Sequence, residues 1–128
     1  MEAVKIVSEN DELIDFTLID EYVEMSQQMG KNVLSGLIGT FEEQFPQYMD
    51  RLKNAIENGE REEISKCAHV LKGASLSVGI KKMSGIFSQL EEKPEVDDME
   101  SFLKEIYARK TESMDVIGKY LKHQMPAL

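Results

Sequence analysis

Between Lys31 and Asn58, apolar side chains recur at intervals of three and four: Leu34, Leu37, Ile38, Phe41, Phe45, Tyr48, Leu52, Ala55 and Ile56. At about 100° per residue these positions form one stripe along a helix, and such a helix must bury that stripe against others. The stripe continues unbroken through Pro46, which itself points away from it. A proline on the outer face removes one backbone hydrogen bond and bends the rod, so the spacing predicts one long helix kinked at Pro46 rather than two helices.

The remaining segments repeat this period, and none shows the strict alternation that a half-buried strand needs. Asn58-Gly59 supplies a turn, and a helix follows over about Glu60 to Val78, with Ile64, Cys67, Ala68, Leu71, Ala74 or Ser75, and Val78 inward and Gly79 at its end. A further helix spans about Ile80 to Glu92, with Ile80, Met83, Ile86, Phe87 and Leu90 inward, and stops at Pro94. Asp97 or Asp98 caps a last long helix carrying Met99, Leu103, Ile106, Met114, Ile117 and Leu121, which runs nearly to Pro126. Upstream, Phe16 to Met29 reads as a shorter helix closed by Gly30, with Ile19, Tyr22 and Val23 inward. Short linkers make neighbouring helices antiparallel. The expected fold is therefore all-α, an antiparallel up-and-down four-helix bundle with an additional N-terminal helix, and 128 residues fit one domain spanning 1–128.

Charge and composition narrow the function. A net charge of -9 argues against nucleic acid, whose phosphates require clustered Lys and Arg, and leaves a protein as the expected partner. No run approaches the ~18 apolar residues of a membrane span, and Met-Glu-Ala-Val-Lys is not the start of an export signal. The single cysteine, Cys67, cannot form an intrachain disulfide, which suits a reducing compartment, with the cytoplasm as the expected location. Met1 fits a free-standing chain.

Helix phase separates the two histidines. His69 lies about 160° from the centre of its helix's inward stripe and faces water, whereas His123 sits in the last turn of the final helix, where a cation favours the dipole. Gly73 is one turn after His69 on the same outward face, where glycine costs about 1 kcal/mol of helix stability relative to alanine. That position leaves an open notch beside the imidazole. Lys72, at i+3, can bring an ammonium beside anything attached to His69. From Ile64 to Leu90 the chain has no Asp or Glu, while Lys66, Lys72, Lys81 and Lys82 lie within it, which predicts a basic patch centred on His69 in an otherwise acidic protein. Cys67, two residues before His69, falls in the inward stripe and reads as a packing residue. Val70 and Leu76 are outward-facing apolar residues that suit a docking surface.

The run His69-Val-Leu71-Lys72-Gly73-Ala74-Ser75-Leu-Ser-Val78-Gly79-Ile80, continued by Met83, Leu90 and Glu91, resembles the histidine-containing phosphotransfer (HPt) family of phosphorelays. Ile80, where alanine is common, and Phe87, where a small residue or cysteine is common, are departures that touch packing more than chemistry. The resemblance implies that His69 takes a phosphoryl group from a receiver-domain aspartate and gives it to another receiver. A histidine with its ordinary pKa of about 6.5 is largely neutral and nucleophilic near pH 7. Attack through Nε2 requires the proton on Nδ1. By position Glu91, where the family has glutamate or glutamine, is the acceptor that would fix that tautomer, and its helix phase puts it on the flank while Gln89 points outward. Lys72 would offset phosphoryl charge and Gly73 would admit the receiver's acidic pocket. No cofactor is expected on this chain, since Mg²⁺ would belong to the receiver. Partners would be receiver domains of response regulators or hybrid kinases, met by a monomer.

Two other readings stand beside this one. A helical adaptor would bind through the same face without covalent chemistry, and it is favoured where the histidine or lysine is missing. A metal-binding bundle needs more convergent ligands than His69 and Glu91 supply, and there is no ExxH pair. The chain has neither a GxxxxGK[ST] loop nor a GxGxxG turn, so an ATP-driven enzyme is not expected.

Overall fold

In the computed structural model, which describes residues 2–127, six helices follow one another: α1 (Glu2–Asn10), α2 (Phe16–Met29), α3 (Val33–Glu57), α4 (Arg61–Ser77), α5 (Lys81–Glu92) and α6 (Met99–Gln124). Met1, on which the free-standing expectation rests, and Leu128 lie outside the described residues. Helices α3 to α6 form the expected up-and-down bundle, with α4 packed on both α3 and α5, and α5 on α6. Between α3 and α6, the Phe45 and Tyr107 rings meet edge to face and Lys110 pairs with Glu42 at 2.7 Å. No helix among the described residues is long and apolar enough to cross a membrane.

Each boundary has a local cause. Asn32 caps α3 by accepting from the Ser35 N–H, and Asp98, not Asp97, caps α6 by accepting from the Ser101 N–H. α3 runs through Pro46 without interruption, because Pro46 lies on the exposed face, as its phase requires. The α3 stripe is buried at Leu34, Phe41, Phe45, Leu52 and Ala55, and Met49 joins it.

The N-terminal addition is two helices rather than one. α2 falls where the sequence places it, while α1, only nine residues long, lays Ile6 into the core and packs on α6. Beyond α1 the chain turns Leu13 and Ile14 inward, and this link is stitched to the turn between α4 and α5. The Asp15 N–H donates to the Gly79 carbonyl (2.9 Å), and the Lys81 and Lys82 N–H groups donate to the Leu13 carbonyl (3.0 and 3.3 Å). Two of the N–H groups that open α5 with no helical partner are thereby satisfied. Gly79 permits the crossing: its φ is +79°, and a Cβ there would stand 2.8 Å from Cδ1 of Ile19. Tyr120 closes the far side, where its ring meets Phe16 and its hydroxyl donates to Asp20 at 2.5 Å. Burial, and then that bond, push its pKa up to about 12.

Candidate functional site

α4 presents two faces to two environments. Ile64, Cys67, Ala68, Leu71 and Ser75 are buried against α3 and α5. His69, Val70, Gly73 and Leu76 lie on the outer side, where the His69 side chain is 70% exposed. At the inward pair left open in the sequence reading, Ser75 is the buried residue and Ala74 the partly buried one.

α5 runs antiparallel to α4 and brings Glu91, from its last turn, against the flank of His69. Glu91 Oε2 lies 2.5 Å from His69 Nδ1, and Glu91 Oε1 accepts from Lys72 Nζ at 2.7 Å. One half-buried carboxylate therefore spans two side chains of the neighbouring helix, one oxygen to each. Lys72, first, and His69, second, hold the Glu91 carboxyl below the ordinary carboxylate range. It is consequently ionised near neutral pH and can only accept hydrogen bonds, so the bonded Nδ1 carries the proton. In the neutral ring, Nε2 is then the nitrogen with the free lone pair.

Sequence reasoning brings together His69, Lys72 and Glu91, and the structure does the same, with one change of emphasis. The Lys72 ammonium, on a side chain 25% exposed, is already engaged by Glu91 rather than free beside the imidazole. A Cβ on Gly73 would meet nothing within 4 Å, so the notch is open. Val70 and Leu76, 38% and 47% exposed, continue the same side of the helix as apolar surface.

Three of the four lysines expected to form a basic patch around His69 lie beside carboxylates, and the fourth, Lys81, is exposed. Lys66 pairs with Glu62 at 3.4 Å, Lys72 with Glu91, and Lys82 lines a hollow with Glu9, Asp11, Glu12 and Glu112. The stretch from Ile64 to Leu90 is free of acids only in sequence, and the fold carries carboxylates to it from the end of α1, from the α1–α2 link, from the end of α5 and from α6.

Two contacts escape the sequence reading. Ser65, one turn before His69, donates its hydroxyl to the Glu91 carbonyl at 3.0 Å. Its position at i-4, on the flank toward α5, was the available signal. Arg51 of α3 pairs with Glu63 at 2.7 Å, and Glu63 in turn faces the Cys67 thiol at 3.6 Å. Cys67 is buried as expected, and burial pushes its thiol pKa up, which leaves it a packing residue. His123 is exposed in the last turn of α6. Among the described residues, no group of three or more His, Cys, Asp or Glu side chains is arranged to hold a metal ion.

An exposed histidine on a bundle helix, its inner nitrogen bonded to a glutamate of the antiparallel neighbour, is the arrangement that the resemblance to histidine phosphotransfer domains implies. The model of the Hpt domain matches residues 36–123, and the chain belongs to that family, whose members carry phosphoryl groups in two-component signalling and interact with receiver domains. It is also similar to the aerobic respiration control sensor protein ArcB of Escherichia coli O157:H7, at 24% identity over 84 residues. The match covers 66% of this chain and 10% of that much longer protein. No solved structure matches the chain.

Proposed function

We propose that this protein is a phosphorelay intermediary in which His69 accepts a phosphoryl group from the phosphoaspartate of one receiver domain and passes it to another. The observation that carries this reading is the His69–Glu91 contact, which in the neutral form of an exposed ring puts the lone pair on Nε2. The Nε2 lone pair attacks phosphorus, an N–P bond forms, and the acyl phosphate P–O bond breaks to release the receiver's carboxylate. The Nδ1 proton stays in place, and the positive charge that builds on the ring is met by Glu91. Onward transfer reverses these bonds with the second receiver's aspartate.

The other residues take supporting parts. Lys72 keeps Glu91 ionised and aimed, and its charge remains one helical turn from the transferring group. Gly73 leaves room for the receiver's acidic pocket, which holds the Mg²⁺ that neutralises the phosphoryl oxygens. Val70 and Leu76 supply apolar docking surface, and the protein acts as a monomer through this single face. Incubation with a receiver domain carrying labelled phosphoaspartate tests the reading. Acid-labile, base-stable label should appear on the wild type and not on His69→Gln, and Lys72→Ala should acquire it more slowly. Absence of label on the wild type with every receiver of its host would end the proposal.

A further inference from the structure

Glu91 is doubly held by its side chain, yet its backbone sits where a helix has least hold. It is the penultimate residue of α5, and the last carbonyls of a helix lack an i+4 donor unless something else supplies one. Here the shortage is built into the sequence. Pro94 has no N–H to offer to the Leu90 carbonyl, and the Glu95 N–H donates to the Lys93 carbonyl at 2.8 Å instead of reaching back to Glu91. The α5 ladder therefore ends with the Gln89 carbonyl, which accepts from the Lys93 N–H at 3.0 Å. The Glu91 carbonyl takes its hydrogen from another helix, through the Ser65 hydroxyl at 3.0 Å.

We infer that Ser65 is a positioning residue for His69: by tying the Glu91 backbone to α4 four residues before the histidine, it sets where the Glu91 carboxylate meets Nδ1 and so selects the ring tautomer. Ser65 and His69 stand one helical turn apart on the same helix, and Glu91 spans them, with its carbonyl on one and its carboxylate on the other. Lys72 restrains the carboxylate from the opposite side, but a single ion pair on a flexible side chain fixes direction poorly once the backbone beneath is loose. Without the Ser65 hydroxyl, the last turn of α5 keeps its apolar anchor at Leu90 and loses its polar one at Glu91. The fold survives, and the distance from Glu91 Oε2 to Nδ1 becomes variable.

This inference rests on the reading of His69 as phosphoacceptor for its biological meaning, but its first test does not involve phosphate. Nitrogen-15 NMR of the unphosphorylated full chain reads the His69 tautomer directly. The wild type should show one dominant Nδ1–H form, Ser65→Ala should shift toward a mixture of tautomers, and Ser65→Thr, which keeps the hydroxyl, should restore the wild-type spectrum. Transfer from a phosphorylated receiver should fall about tenfold in Ser65→Ala, by analogy with the low end of what losing an outer hydrogen-bond partner costs a metal-bound histidine. A Ser65→Ala variant with lowered thermal stability but an unchanged tautomer would mean that Ser65 only joins two helices, and the inference would fall. A folded Ser65→Thr that behaves like alanine would overturn it as well. If the tautomer shifts as expected while the wild type takes no label from any receiver, the positioning inference stands and the phosphotransfer reading is the one that fails.

Discussion

A carboxylate that serves two cationic or proton-bearing side chains leaves a signature in pH. The Glu91 pKa lies below its ordinary value of 4.5 because Lys72, and then His69, stabilise its charged form. Its contacts therefore contribute stability that is fully present above that ordinary value and is lost as pH falls through the lower folded one. Wild type and Glu91→Gln should differ in denaturant stability near neutral pH and converge as acid protonates the Glu91 carboxylate below the ordinary carboxylate range, and a constant difference throughout would contradict the assignment. Gly73 carries the opposite trade. Nothing surrounds its missing Cβ, so Gly73→Ala should stabilise the fold by about 1 kcal/mol, because alanine is the better helix former. A bulky Gly73→Leu should slow transfer by roughly tenfold to hundredfold, the cost of displacing reacting groups by about an ångström. Thermal melts and transfer rates on the two variants check both halves. At this scale the sequence was informative about direction: helix phase is enough to turn His69 outward and Glu91 to the flank. It does not reveal that Lys72 bonds the glutamate, since that depends on the distance between α4 and α5, which no single-helix pattern encodes.

Helices long enough to repeat an apolar stripe were legible, and the shortest was not. α3 and α6, at 25 and 26 residues, repeat their stripes often enough to be read through a proline and to within two residues of their ends. α1, with nine residues, completes about two and a half turns, and its one buried residue makes no pattern. Serine also hides core positions from an apolar count. Ser26, Ser75 and Ser113 are fully buried, each with its hydroxyl donating to a carbonyl one turn earlier in its own helix. The turn from α4 to α5 sets the register of the site, because it determines which residue of α5 lies opposite His69. Gly79→Ala should therefore cost more than about 1 kcal/mol, since alanine at positive φ is strained and its methyl would press on Ile19. Chemical denaturation measures that loss, and an unchanged midpoint would mean that the turn relaxes without consequence.

Taken as a whole molecule, the bundle makes His69 available by burying everything behind it. α4 is packed on α3 and on α5, and the link from α1 to α2 braces the α4–α5 turn through the Leu13 carbonyl. The same assembly sets three of the four lysines expected in a basic patch beside carboxylates. Charge counted along the chain ignores the carboxylates that folding brings to each lysine, and Lys82, among Glu9, Asp11, Glu12 and Glu112, shows how far apart the two descriptions can be. Beside His69, Glu91 is shared between Nδ1 and Lys72, and in the proposed mechanism that arrangement commits the chemistry to a single ring nitrogen. Phosphorus–nitrogen correlation NMR on the protein after transfer from a receiver reads that commitment most directly. Phosphorus should sit on Nε2 of His69, with the Nδ1 proton retained. Phosphorus on Nδ1, or on His123, would contradict it.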